Sequence, residues 1–296
     1  MQDLNYFIGI CFAINAGLLA TFGLLLQKKV VNELPPGEKV GRNLLKKPLW
    51  IVGFICEMVL GSVFYLLAFT PPWGIGAALV PGLMAVGLII LAIGSIKILN
   101  ERITKQDLIG IALMIGGITL LGFSKLETEV LESNLLDSGF ILRAVIFSLV
   151  FLSISIFCQI FQSRTKDYKG IHLAIFSGSM YVISNFWVGV LMPLFGFVFG
   201  KGQFIVFFII TVVILIFSNI FGVFKMQQAF QHGRASSLIP IQQVPVQTGP
   251  IFIYFAIFML VPPEFYSFPF MVVGVILIIV SSFLLARRQA QLEEIK

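Results

Sequence analysis

Charge is scarce in this chain: only 11% of its 296 residues are charged, where soluble domains carry roughly 25%. So few charges cannot clothe a water-exposed surface, which excludes a soluble enzyme or a large receptor ectodomain. Histidine is scarcer still. His172 and His232 fall near the ends of apolar runs and read as interfacial side chains rather than metal ligands. Cys11, Cys56 and Cys158 all lie within apolar runs, so no disulfide framework is implied and they read as packing thiols. Paired acids, a nucleophile beside a base, and a Gly-rich loop ending in Lys-Ser/Thr are all missing. Neither catalysis nor direct use of ATP is therefore expected. The formal charge of +6 gathers into no patch, so nucleic acid is not an expected partner.

Apolar sequence is what the chain has in quantity, at 58% hydrophobic. A spanning helix needs about 20 apolar residues. Nine runs of that order lie near 5–26, 49–70, 74–99, 107–123, 139–162, 171–199, 203–229, 235–260 and 267–286. The expected fold is an all-α polytopic membrane helix bundle of about nine transmembrane helices, with the lipid bilayer as its first partner. The first run is not read as a cleaved signal, because Lys28 and Lys29 follow it rather than precede it and it exceeds a typical signal core.

Lysine and arginine collect on the cytoplasmic side of membrane proteins. With nine spans, alternate loops place only Lys125, Arg143 and Lys201 on one side. Lys97 and Lys225 fall inside spans, and the remaining fifteen of the 20, Lys28, Lys29, Lys39, Arg42, Lys166 and Lys296 among them, lie on the other. The expected topology is a multi-pass protein of the cell membrane. Its N-terminus is outside, its C-terminus cytoplasmic, and the loop carrying Glu127, Glu129, Glu132 and Asp137 outside.

The eighth run is interrupted by Pro240, Pro245 and Pro250 and carries Gln242, Gln243, Gln247 and Thr248. Proline removes a backbone donor and crowds the carbonyl one turn back, so this stretch is expected to be irregular. It reads either as a kinked packing helix or as a discontinuous helix lining a site at the membrane midplane. Glu57 is the one carboxylate well inside a run, eight residues beyond Leu49, or roughly 12 Å into a core about 30 Å thick. An acid at that depth faces protein rather than lipid. It reads as a cation ligand, a proton-coupling group, or half of a structural pair with a lysine. Lys97 and Lys225 lie close to span ends, where long basic side chains snorkel. Lys225 is the more informative of the two, being near Asn219.

The halves of the chain match weakly. Ala78-Leu-Val-Pro81 resembles Ser237-Leu-Ile-Pro240, Ala68-Phe69 resembles Ala229-Phe230, and the stretch Gly110 to Leu121 resembles Gly274 to Leu285, in order, at offsets of 159 to 164. Spans two to four then correspond to seven to nine. The five intervening steps are odd, so the copies insert in opposite directions. That is an inverted-topology repeat of four plus five helices, as secondary transporters use for alternating access. The expected division is 1–124 for the first repeat, 139–288 for the second, and 289–296 for a cytoplasmic tail.

At these residues the chain resembles the drug/metabolite transporter (DMT) superfamily, whose wider group is EamA-like. The carrying features are Ala-Leu-Val-Pro81, the run's end at Leu99-Asn-Glu-Arg102, and the Gly-rich span from Gly110. Phe22-Gly-Leu-Leu-Leu-Gln-Lys-Lys29 and Gln227-Gln-Ala-Phe230 resemble the NIPA-like branch of proposed magnesium transporters. The resemblance implies a secondary transporter moving a small solute or ion between two inverted repeats. For the nearest branch that cargo is Mg2+, a transported ion and not a cofactor. For the EamA-type branch it is a small organic metabolite. A non-transporting scaffold or lipid-handling protein is the third reading. The expected pathway residues are Glu57, also the candidate metal ligand, with Pro81, Asn219, Lys225, Pro240, Gln242, Gln243, Pro245, Gln247 and Thr248. Glu101-Arg102 is expected to fix the turn into the fourth span. Oligomeric state, homo-oligomer included, is left open.

Overall fold

A computed structural model describes residues 2–35, 43–68, 70, 72–73, 75, 79–126, 128, 130–164, 168–198 and 202–294. Lys39, Arg42, Glu127, Glu129, Lys166, Lys201 and Lys296 of the orientation argument lie outside the described residues, as do Phe69 and Ala78 of the repeat matches. The described residues form helices and no strand. In order they are α1 (Gln2–Asn32), α2 (Pro48–Leu67), α3 (Leu79–Met84), α4 (Gly87–Lys97), α5 (Lys105–Phe123), α6 (Glu132–Leu136), α7 (Ser138–Arg164), α8 (Lys169–Val198), α9 (Ile205–His232), α10 (Ala235–Phe252) and α11 (Ser267–Glu294). Seven of these, α1, α2, α5, α7, α8, α9 and α11, are long and apolar enough to cross a membrane. The fold is an all-α polytopic membrane bundle.

The third and eighth apolar runs are the ones outside that seven. The third is broken: α3 ends at Met84, the chain turns, and α4 resumes at Gly87. The eighth is not broken at its prolines. Helix α10 runs unbroken from Ala235 to Phe252 through all three, because each proline deletes one rung of the ladder while the rungs between them hold. Membrane helices tolerate proline when hydroxyls and neighbouring helices satisfy what it releases. The irregularity comes one turn later, at Ile253–Ile257, where Phe258 N bonds Ile253 O five residues back at 3.1 Å.

The chain divides into two compact units. The first comprises Met1–Leu126, Gln227–Ile241 and Pro262–Lys296; the second comprises Glu127–Met226 and Gln242–Val261. Small residues let helices approach closely where lipid supplies no hydrophobic drive, and unit one uses them at each crossing of α1. A Cβ added to Gly23 would lie 2.4 Å from Gly53 O, and one added to Gly17 would lie 2.1 Å from Met84 O. Helices α5 and α11 cross in the same way. A Cβ on Gly117 would lie 2.7 Å from Gly274 O, and Ser281 Oγ donates to Gly110 O at 2.6 Å.

Unit two is held by aromatics. Phe140, Phe147, Phe151, Phe186 and Trp187 are buried in one cluster, with Trp187 Nε1 donating to Ser148 Oγ at 3.0 Å. The three thiols do not share one role: Cys158 is buried, but Cys11 is exposed on α1 and is no packing thiol.

Candidate functional site

Glu57 lies where α2 departs from α-helical geometry. Over Ile55–Leu60 the ladder shifts to bonds spanning five residues, and Gly61 N donates to Cys56 O. Such π-turns recur at functional sites. The widened turn faces α1, since a Cβ on Gly23 would come within 2.9 Å of the Glu57 Cβ.

Gln27 Nε2 donates to Glu57 Oε2 at 2.5 Å. Gln227 Nε2 donates in turn to Gln27 Oε1, and Trp50 Nε1 donates to Gln227 Oε1 at 3.2 Å. Gln27 is 0% exposed and Gln227 2%, while Glu57 is half-buried. The order of donors follows from chemistry. An indole N–H only donates, so the oxygen of Gln227 must face Trp50. That leaves its NH2 for Gln27, whose own NH2 then meets the carboxylate.

Lys28, adjacent to Gln27, is not a solvated loop cation as the charge count assumed. It is buried in the last turns of α1, where its ammonium donates to Phe230 O and to Gly233 O, the latter at 2.7 Å, and lies 5.7 Å from the Phe230 ring centre. These carbonyls end α9, and a cation there complements the negative end of the helix dipole. The two stretches that carried the finer resemblance, Gln27-Lys28 and Gln227 to Phe230, are therefore in contact.

Glu101 does not fix the turn into α5. A capping box of Thr104 and Asp107 does that. Asn100 adopts φ 54°, turning the chain so that the Glu101 carboxylate accepts from Ala235 N at 2.8 Å, Ser236 N at 3.2 Å and Ser236 Oγ at 2.7 Å. It caps the first turn of α10, while Arg234 donates to Arg102 O at 2.9 Å. Pro240 lies in the following turn, and Pro81 lies in the backbone of α3.

In unit two each predicted polar residue has a neighbour of its own. Asn219 Nδ2 donates to Ser184 Oγ at 2.7 Å and to Leu215 O at 2.9 Å. Lys225 donates to Gln159 Oε1 at 2.6 Å and lies 5.3 Å from the Phe176 ring centre. Gln242, 2% exposed, donates to Ser177 Oγ at 2.8 Å. Gln247 donates to Gln243 Oε1 at 3.1 Å along one face of α10. Pro245 and the Gln242 carbonyl press on Gly178, where a Cβ would lie 2.4 Å and 2.3 Å from them. Within the predicted set, Gln247 bonds to Gln243, and Thr248 Oγ1 donates to Pro245 O at 3.4 Å. Gln27, Gln227 and Trp50, which the sequence reading passed over as pathway residues, hold the predicted carboxylate.

Among the described residues no three His, Cys, Asp or Glu side chains gather.

A multi-pass bundle with a carboxylate and a string of buried amides inside its spans has the build of a membrane transporter. The family model Magnesium transporter NIPA matches residues 4–291, and the chain belongs to that family, a branch of the DMT superfamily. The family's printed function and the seven apolar helices make this protein a multi-pass membrane transporter with a divalent cation as its cargo class. No curated protein and no solved structure matches the chain.

Proposed function

We propose that this chain carries Mg2+ across the membrane as a secondary transporter, by alternating access between two inverted repeats, residues 1–124 and 139–288, with Glu57 as the carboxylate that meets the ion. The single observation that carries the reading is the family match over residues 4–291, joined to a half-buried Glu57 at a π-turn. The N-terminus is outside and the tail from 289 is cytoplasmic.

The inverted repeat draws support from α5 and α11. At an offset of 164, Gly110 corresponds to Gly274 and Gly117 to Ser281. Gly117 meets Gly274, and Gly110 meets Ser281, so each residue touches the counterpart of the other. That reciprocity is the pattern of a two-fold self-complementary interface, and it runs the two helices antiparallel, as oppositely inserted copies require.

The test is Mg2+ flux into proteoliposomes holding the purified protein, beside empty liposomes and the Glu57→Gln variant. Saturable flux, lost in a variant that still inserts and folds, is the expected result. Unaltered flux in Glu57→Gln would remove the carboxylate from the pathway. No Mg2+ flux from the folded protein would move the substrate to the small organic metabolites of the EamA-like group.

A further inference from the structure

Mg2+ tolerates little distortion of its octahedral shell, so a carboxylate that meets it must be held in orientation as well as in place. Partners behind a ligating group supply that, and losing one costs roughly 10- to 100-fold in metal affinity. Behind Glu57 stands a chain of three side chains from three separate stretches: Gln27 of α1, Gln227 of α9 and Trp50 of α2. Its far end is donor-only, the Trp50 indole. Its near end is the carboxylate oxygen Oε2. Between such ends Gln227 cannot reverse without setting donor against donor at Trp50, nor Gln27 without setting its oxygen against the carboxylate. Burial of Gln27, Gln227 and Trp50 at 0%, 2% and 6% exposure keeps water from replacing a link, and Trp50 is stacked on Phe54 with centroids 5.5 Å apart.

We infer that Trp50, Gln227 and Gln27 are positioning residues that set the affinity of the Glu57 carboxylate for its divalent cation through this one-directional run of hydrogen bonds. The inference rests on the reading of Glu57 as the ion-meeting group. It assigns the glutamines a role in affinity and leaves them out of the ion's own shell, and Trp50 acts three hydrogen bonds away from the carboxylate it controls.

The experiment compares the wild type, Glu57→Gln, Gln227→Met and Trp50→Phe in the full chain. It measures Mg2+ flux against concentration in proteoliposomes and the thermal midpoint of each purified protein. Trp50→Phe keeps an aromatic ring against Phe54 while removing the donor and the second ring of the indole, so it tests the chain even if Gln227→Met fails to fold. The expected result is a half-saturating Mg2+ concentration raised roughly tenfold in Gln227→Met and about threefold in Trp50→Phe. Maximal flux should be within about twofold of wild type, with the midpoint of Trp50→Phe lowered by the lost donor and the smaller ring. Loss of flux in Glu57→Gln, with unaltered half-saturation in Trp50→Phe and in any folded Gln227→Met, would overturn the positioning role and leave the carboxylate reading standing. A lowered midpoint with unaltered half-saturation would make the chain purely structural and overturn it equally. Full flux in Glu57→Gln would remove the carboxylate reading and this inference with it.

Discussion

Gly117 and Gly274 meet backbone to backbone: a Cβ on the first would lie 2.7 Å from the carbonyl of the second, and a Cβ on the second 2.9 Å from the carbonyl of the first. Side-chain repacking cannot relieve a contact made by two main chains. Gly274→Ala must push α5 and α11 apart, and overpacking of this kind costs about 1–3 kcal/mol. The expected outcome is a lowered thermal midpoint in detergent. Gly116→Ala is the control, because a Cβ there meets only Leu277, at 3.8 Å, and its midpoint should match wild type.

Glu101 gives a second prediction. Its carboxylate satisfies two backbone donors of the first turn of α10 and the Ser236 hydroxyl. Glu101→Ala should destabilise that turn by roughly 1–2 kcal/mol, the usual worth of a cap. Hydrogen exchange localises the effect: the amides of Ala235 and Ser236 should exchange faster, while those of α7 should not change.

Lys28→Met keeps the length of the side chain and removes its ammonium. The carbonyls of Phe230 and Gly233 then lose a buried charged donor, at a cost of about 1–3 kcal/mol. The thermal midpoint should fall, and cleavage by added protease near residue 233 should accelerate. An unchanged midpoint would mean that the two carbonyls find other donors at no cost.

Glu57→Asp retains the charge but withdraws it by one methylene from both Gln27 and the ion. Under the proposed function, half-saturating Mg2+ should rise roughly tenfold while measurable flux persists. Complete loss of flux would mean that the reach of the carboxylate, and not its charge alone, is required.

The sequence was most legible where lipid imposes the rule. Apolar run length located seven of the nine expected spans as long helices, and scarcity of charge drew the eye to Glu57, whose part in transport is proposed. Lys28 misled because a lysine just past an apolar run ordinarily reaches water, whereas α1 continues to Asn32 and buries it. The pairing of Gln27 with Gln227 joins residues 200 apart in sequence, and no periodicity encodes such a contact. Its one trace was that both glutamines sit in the short stretches that carried the family resemblance. The prolines of α10 were read as a kink or a break because each weakens a helix alone, but the intact rungs between them are a property of the whole helix. Glu101 was assigned to the nearer helix when its carboxylate serves a more distant one. The Thr104 to Asp107 box was readable from spacing and would have freed it.

Unit one is assembled from three stretches far apart in sequence, which gives its construction an order in time. Domains tend to fold as they leave the ribosome, yet α1 to α5 cannot finish. Glu101 has no helix start to cap until residue 235 arrives, and Gly117 has no partner until residue 274 does. Helix α11 is thus a closing piece for structure laid down well before it. A chain that stalls before α11 leaves α1 to α5 incomplete, although they were made earlier.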